Sequence, residues 1–368
     1  MENIQKKQIK KKDKKPLYIL GGFLIFFGIF IYAITRPSIQ SIALKELETS
    51  YNTKDVEKVW DKYKADLSKD EEFLFETRKK LTGFSLTEDE INACRNWLPP
   101  APISINLIII PDLSRRIIDT LNNPDQINND IFILRTIWKS FVDFSKYKQN
   151  TKDRLIVDVT DIDQAKGQFG KVANKLQFDL SDHKGKSNRL FFTSDKDKQF
   201  ENSIEEMYKL AKSKPLGADY SFYFRRYLIN HIMKPTLFDN VVNKVVIISD
   251  GYLEAENKPA DTKIYGYGNP SKDYRNILYP AVKSGNILDV ISMKGLNIPI
   301  IPKIDLSNTE ILVCEVNERK SGKEFDFEIL ETYWNDWLTR MNAKIIVFLQ
   351  REQANELTAK KVTKFIKD

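Results

Sequence analysis

The chain has 368 residues, enough for one large domain or two ordinary ones, and its 42% hydrophobic and 11% aromatic content supplies a core and excludes wholesale disorder. Of the formal charge of +7, residues 1–15 alone carry +5 (seven lysines against two acids), so the rest is near neutral and a nucleic-acid role is not supported. The only histidines, His183 and His231, stand far apart with no Cys/His cluster, which excludes a zinc signature and a His-based triad.

The lysine cluster is followed by an uncharged apolar run, Leu17 to Ile34. As a helix it would span about 27 Å, close to the roughly 30 Å hydrocarbon core of a bilayer. Tyr18 and Tyr32 fall near the two interfaces, and no small-x-small cleavage site precedes Arg36-Pro37. The run therefore reads as a signal anchor rather than a cleaved leader. Lysines before it and a lone arginine after it put the N-terminus in the cytoplasm. The expected organisation is a cytoplasmic basic tail at 1–16, a transmembrane helix at 17–35, a helical membrane-proximal region at 36–102 and an α/β domain at 103–368. The main domain is then extracytoplasmic, periplasmic in a Gram-negative cell. The lysine- and asparagine-rich composition suits a bacterium with an AT-rich genome.

In the membrane-proximal region Val56, Val59, Tyr63 and Leu67 recur at helical spacing, and Thr87-Glu-Asp-Glu90 has capping-box spacing before Ile91. Pro99-Pro100-Ala101-Pro102 ends that helix. Beyond it, strand and helix signals alternate. Strands are expected at Ile105–Ile110, Leu155–Val159, Arg189–Thr193, Val245–Ser249, Ile311–Val316 and Lys344–Leu349. Helices are expected at Ile127–Tyr147, Phe200–Lys212, Ser221–Met233, Glu324–Met341 and Glu352–Ile366. This alternation predicts an α/β fold, a doubly wound, mainly parallel sheet with helices on both faces. Gly185-Lys-Ser187 lacks the upstream glycine of a phosphate loop and reads as a polar, hairpin-like connection. Cys314 lies in an apolar strand and is expected to be a buried thiol, although the inferred compartment permits a Cys94–Cys314 disulfide.

Two strands end in an aspartate followed closely by a small or hydroxyl residue: Pro111-Asp112-Leu-Ser114 and Ser249-Asp250-Gly251. In an open parallel sheet the loops at the carboxyl ends of the strands form the binding rim, so Asp112 and Asp250 are expected to share it. Asp158, Asp161 and Asp163 also cluster after a strand, but without EF-hand spacing, and read as turn chemistry. Tyr220, Phe222, Tyr223, Phe224 and Tyr227 form an aromatic stretch divided between core and contact surface.

The order of these elements resembles a von Willebrand factor A-type domain, a doubly wound sheet bearing a metal-ion-dependent adhesion site. The hallmark Asp-x-Ser-x-Ser corresponds to Asp112-Leu-Ser114-Arg-Arg116, with arginine in place of the second serine. The Gly-Thr-Asp loop corresponds to Gly217-Ala218-Asp219, with alanine in place of threonine, and the last aspartate corresponds to Asp250. The resemblance implies a Mg²⁺ site (or Mn²⁺ or Ca²⁺) at Asp112, Ser114, Asp219 and Asp250, and a protein partner that docks there through an acidic residue. Arg116 and Ala218 depart from that pattern, and a rim without metal, its acids neutralised by Arg116, is the competing expectation. Two other classes compete with a binding module. One is a metal-dependent phosphate or sulfate ester hydrolase, for which no base is visible beside Ser114. The other is a structural component of a membrane assembly.

Overall fold

A computed structural model describes residues 37–148, 151–161, 164–236, 238–253, 274–319 and 325–368. The expected basic tail and membrane span at 1–35, and Asp163, lie outside the described residues. Among the described residues no helix is long and apolar enough to cross a membrane. The chain forms two compact units, divided between Pro99 and Pro100.

The first unit is helical, with Ile39–Glu48, Thr53–Leu67, Glu71–Thr82 and Glu88–Trp97. Ser38, Asn52, Asp70 and Thr87 each precede a helix and accept a backbone N–H three residues on, and Thr87 forms the full capping box with Glu90. Val56, Val59, Tyr63 and Leu67 are all buried, together with Trp60, which stacks on Phe73 at 6.1 Å. The Tyr63 hydroxyl donates to Glu46 Oε1 at 2.7 Å, so the polar end of this partly apolar ring is satisfied. Cys94 is buried here, and neither it nor Cys314 forms a disulfide.

The second unit is built on six strands: β1 (Ile103–Pro111), β2 (Arg154–Val157), β3 (Gln177–Asp179), β4 (Asn240–Ile248), β5 (Thr309–Val316) and β6 (Ile345–Gln350). Their order is β3-β2-β1-β4-β5-β6, with all neighbours parallel except β2 and β3. From β1 the chain winds outward to β3, and from β4 it winds outward the other way to β6. The order reverses between β1 and β4, which pair in register from Ile103↔Asn240 to Pro111↔Ile248. β1 is buried on both faces. Leu107 and Ile109 join one core with the helices Gln126–Ser145, Gly185–Ser213 and Asn355–Lys367. Ile108 and Ile110 join the other, which contains Tyr220, Trp334 and Trp337. A continuous Ile-rich run is thus what a strand between two helical layers requires.

Two expectations fail around residue 190. Arg189–Thr193 is not a strand, and Gly185-Lys-Ser187 is not a hairpin connection: both belong to one helix, Gly185–Ser213. The cause is tertiary. Arg189 is wholly buried and donates to Asp153 Oδ2 at 2.6 Å and to the carbonyls of Ser145 at 3.0 Å and His183 at 2.9 Å. That anchor overrides the local strand pattern of Leu190-Phe191-Phe192, and Phe191 is left 79% exposed. The expected helix at Ser221–Met233 begins one residue earlier, passes through a π turn at Phe224–Leu228 and stops at His231. β3 and the helices Gln168–Asn174, Arg275–Ser284 and Ile287–Met293 carry no expectation from the sequence.

Candidate functional site

In a doubly wound sheet, the crevice outside the carboxyl ends of the strands at the reversal of strand order is the natural binding position. Here those ends are Pro111 of β1 and Ile248 of β4, so the next residues stand at the crevice: Asp112 on one side, Ser249-Asp250-Gly251 on the other. The Asp112 N–H donates to Ile248 O at 2.9 Å and extends the ladder by one rung. Asp112 Oδ1 accepts the Ser114 N–H at 2.9 Å, and Oδ2 accepts the Ser249 hydroxyl at 2.9 Å. The Ser249 oxygen in turn accepts the Gly251 N–H at 3.1 Å. Each aspartate turn is therefore held by side-chain-to-backbone bonds, the reason Asp and Ser suit these positions.

Asp112, Ser114, Arg116, Ala218, Asp250 and Arg319 line a common cavity of about 320 Å³, together with Arg115, Asp119, Asn122, Asn123 and Tyr252. Of the four residues expected to form the site, the fold brings Asp112, Ser114 and Asp250 together. Asp219 is not among the lining residues: its carboxylate caps the next helical turn by accepting the Phe222 N–H at 3.0 Å. Ala218 lines the cavity in its place, in the left-handed region at φ 64°. The preceding Gly217 has φ 133°, and a Cβ there would meet Thr160 Oγ1 at 3.1 Å.

Arg116 is buried. Its Nη2 donates to Asp130 Oδ2 at 2.7 Å and to Ile248 O at 2.9 Å, and its Nε donates to Asp112 O at 3.0 Å. Nε also lies 3.5 Å from Asp112 Oδ2. Burial works against its charge, but Asp130 and then Asp112 outweigh burial and raise its pKa above the ordinary guanidinium value. Asp130 is further bonded by Gln126 Nε2 at 2.6 Å and the Tyr208 hydroxyl at 2.9 Å. Gln126 is bonded by Arg351, which also pairs with Glu315 at 3.0 Å. A buried polar network runs beneath the rim from β1 to β5, with Arg116 Nη1 left without a partner among the described residues.

Asp250 is held differently. Its carboxylate accepts the Tyr252 N–H at 3.3 Å and faces Arg319 Nη2 at 3.4 Å, both long. Burial pushes its pKa up to about 6, against Arg319 and with Asp112 adding to the rise. Arg319 lies over the Tyr252 ring at 4.0 Å, and the Tyr252 hydroxyl donates to Asp326 Oδ2 at 2.7 Å. Asn317 Nδ2 donates to Asn122 O at 2.7 Å, tying the loop after β5 to the loop after β1. The Trp334 indole N–H donates to Gly251 O at 2.9 Å from beneath. Sequence reasoning missed Arg319 and Asp130. Arg319 had one signal, a polar run directly after a strand of the same sheet.

Of the acidic cluster expected to serve a turn, Asp161 does so, whereas Asp158 makes long-range contacts instead. Asp161 Oδ1 accepts the Gln164 N–H at 3.1 Å. Asp158 meets His231 Nε2 at 3.0 Å and the Tyr223 hydroxyl at 3.1 Å, away from the cavity.

Mg²⁺ takes about six oxygens in octahedral geometry. Both oxygens of Asp112 already accept internal hydrogen bonds, and two guanidinium groups stand beside the acids. Among the described residues no group of three His, Cys, Asp or Glu side chains is placed to hold a metal ion. This donor set fits a resident divalent cation poorly. Comparison of the chain with models of known families, with curated proteins and with solved structures finds no match.

Proposed function

We propose that this chain is a single-pass, membrane-anchored protein-binding module, with a von Willebrand A-like domain whose rim engages another protein outside the cytoplasm. The observation that carries this reading is the convergence of Asp112, Ser114, Ala218 and Asp250 on one cavity where the strand order reverses. Apolar side chains beside that cavity favour a protein surface as the occupant. Leu121 is 63% and Ile118 42% exposed, in the loop that also supplies Arg115 and Asp119 to the cavity. Neither histidine lines the cavity, so Ser114 has no imidazole base there, and the hydrolase reading is the weaker one. The anchor rests on the apolar run at 17–35 and its flanking lysines.

Photo-crosslinking from the full chain in its own membrane tests the reading. A crosslinkable residue at Leu121 is expected to capture one protein species that Arg319→Ala reduces. The same residue at Lys303, before β5 at the opposite end of the sheet, is expected to capture none. Equal capture at both positions, or none at Leu121, overturns it.

A further inference from the structure

The oxygens around Arg116 form an unusual shell for a side chain at an adhesion-type rim. Two main-chain carbonyls, Asp112 O and Ile248 O, and two carboxylates, Asp130 and Asp112, face Nε and Nη2 of one buried guanidinium, whose Nη1 has no hydrogen-bond partner among the described residues. Carbonyls and carboxylates from several elements are the ligands that a hard cation collects. The shell joins the loop after β1, the end of β4 and the helix Gln126–Ser145, so it performs a cation's mechanical task of fixing several elements to one charge. We propose that the Arg116 guanidinium has replaced the divalent cation, so that the rim is held in its binding geometry by the chain's own charge and works without metal.

A second observation supports this independently. The family's threonine would fall at Ala218, whose φ of 64° is a backbone conformation that β-branched residues rarely adopt. The Ala218 N–H donates to Thr160 Oγ1 at 3.1 Å, so the loop is fixed by a contact of its own. The loop's conformation is therefore held without the motif's threonine. Arg116 is thus a positioning residue, acting on a partner through Asp112 and the turns around it. The inference rests on the proposed rim, but its test needs no partner, so failure of either can be told apart.

The full chain in detergent is titrated with Mg²⁺ and with Mn²⁺ by calorimetry, and its thermal unfolding is followed with either ion or with EDTA. The parent is expected to give no saturable heat and an unchanged midpoint. Arg116→Ser restores the motif's serine, and Arg116→Ser with Asp130→Asn does so without leaving Asp130 as a buried unpaired charge. Each is expected to unfold at a lower temperature than the parent and to regain several degrees in millimolar Mn²⁺. A saturable one-to-one heat in the parent that disappears in Asp250→Asn overturns the proposal, and so do folded variants that ignore Mn²⁺. If neither variant folds, the parent titration alone decides.

Discussion

Arg116 and Asp130 meet at 2.7 Å with neither side chain open to solvent, 14 residues apart in sequence, one in the turn after β1 and the other in the first turns of the next helix. A buried pair of this kind contributes little over a well-packed apolar pair, but removing one partner strands the other's charge. Arg116→Met is therefore expected to lower the stability of the α/β unit by about 3–5 kcal/mol. Adding Asp130→Asn should recover part of that loss, because the carboxylate left behind causes much of it. Urea unfolding of the two single variants and the double variant measures the coupling, and strict additivity would show that the pair does not act as one.

Asp250 gives a pH signature. Its pKa lies near 6 in the folded chain against an ordinary 3.8, so the folded state holds the proton more tightly than the unfolded state. Its contribution to stability is complete below about pH 4 and is lost as the pH rises through about 6. Asn at this position cannot ionise. Asp250→Asn should match the parent near pH 4 and exceed it by roughly 2 kcal/mol above pH 7. Thermal unfolding across pH 4–8 checks this, and a variant less stable than the parent at pH 8 contradicts it.

Gly251 sits at φ 90°, and a Cβ there would meet Val316 Cγ1 at 3.0 Å. Gly251→Ala combines backbone strain with a collision against the end of β5, and a loss of about 1–2 kcal/mol is expected. Gly285→Ala is the comparison: it shares the left-handed conformation, at φ 72°, but its Cβ would meet nothing within 4 Å. Chemical denaturation should rank Gly251→Ala as the more damaging of the two.

In the helical unit, Thr87→Ala removes the acceptor that holds the Glu90 N–H. The expected cost is about 1 kcal/mol, localised to the helix Glu88–Trp97. Amide exchange should speed up in that helix and leave β1 unchanged.

The strands that were legible are those whose burial writes itself into composition. Ile108–Ile110 and Val245–Ile248 are apolar at every position because helices cover both faces. β3 left no trace, since three residues are too few to establish a period. Leu190-Phe191-Phe192 imitated a strand because the contact that makes it helical, Arg189 with Asp153, spans 36 residues. The same distance effect governs the site. Asp112 and Asp250 could be found because each stands within two residues of a strand's end, and the fold then makes them neighbours. Asp130 could not, because a lone carboxylate on a helix reads as surface until its partner is placed beneath it. Asp219 had the right neighbours in sequence, yet its side chain serves the helix that follows it.

The indole of Trp334 is closed to solvent, and its one hydrogen bond goes to the carbonyl of Gly251, inside the turn that carries Asp250. The protein therefore contains its own optical gauge. Five tryptophans share the emission, so once the other four are replaced an occupant that shifts the turn and its hydrogen bond changes the Trp334 fluorescence without any added label. Occupancy of the rim becomes readable before the occupant has been identified.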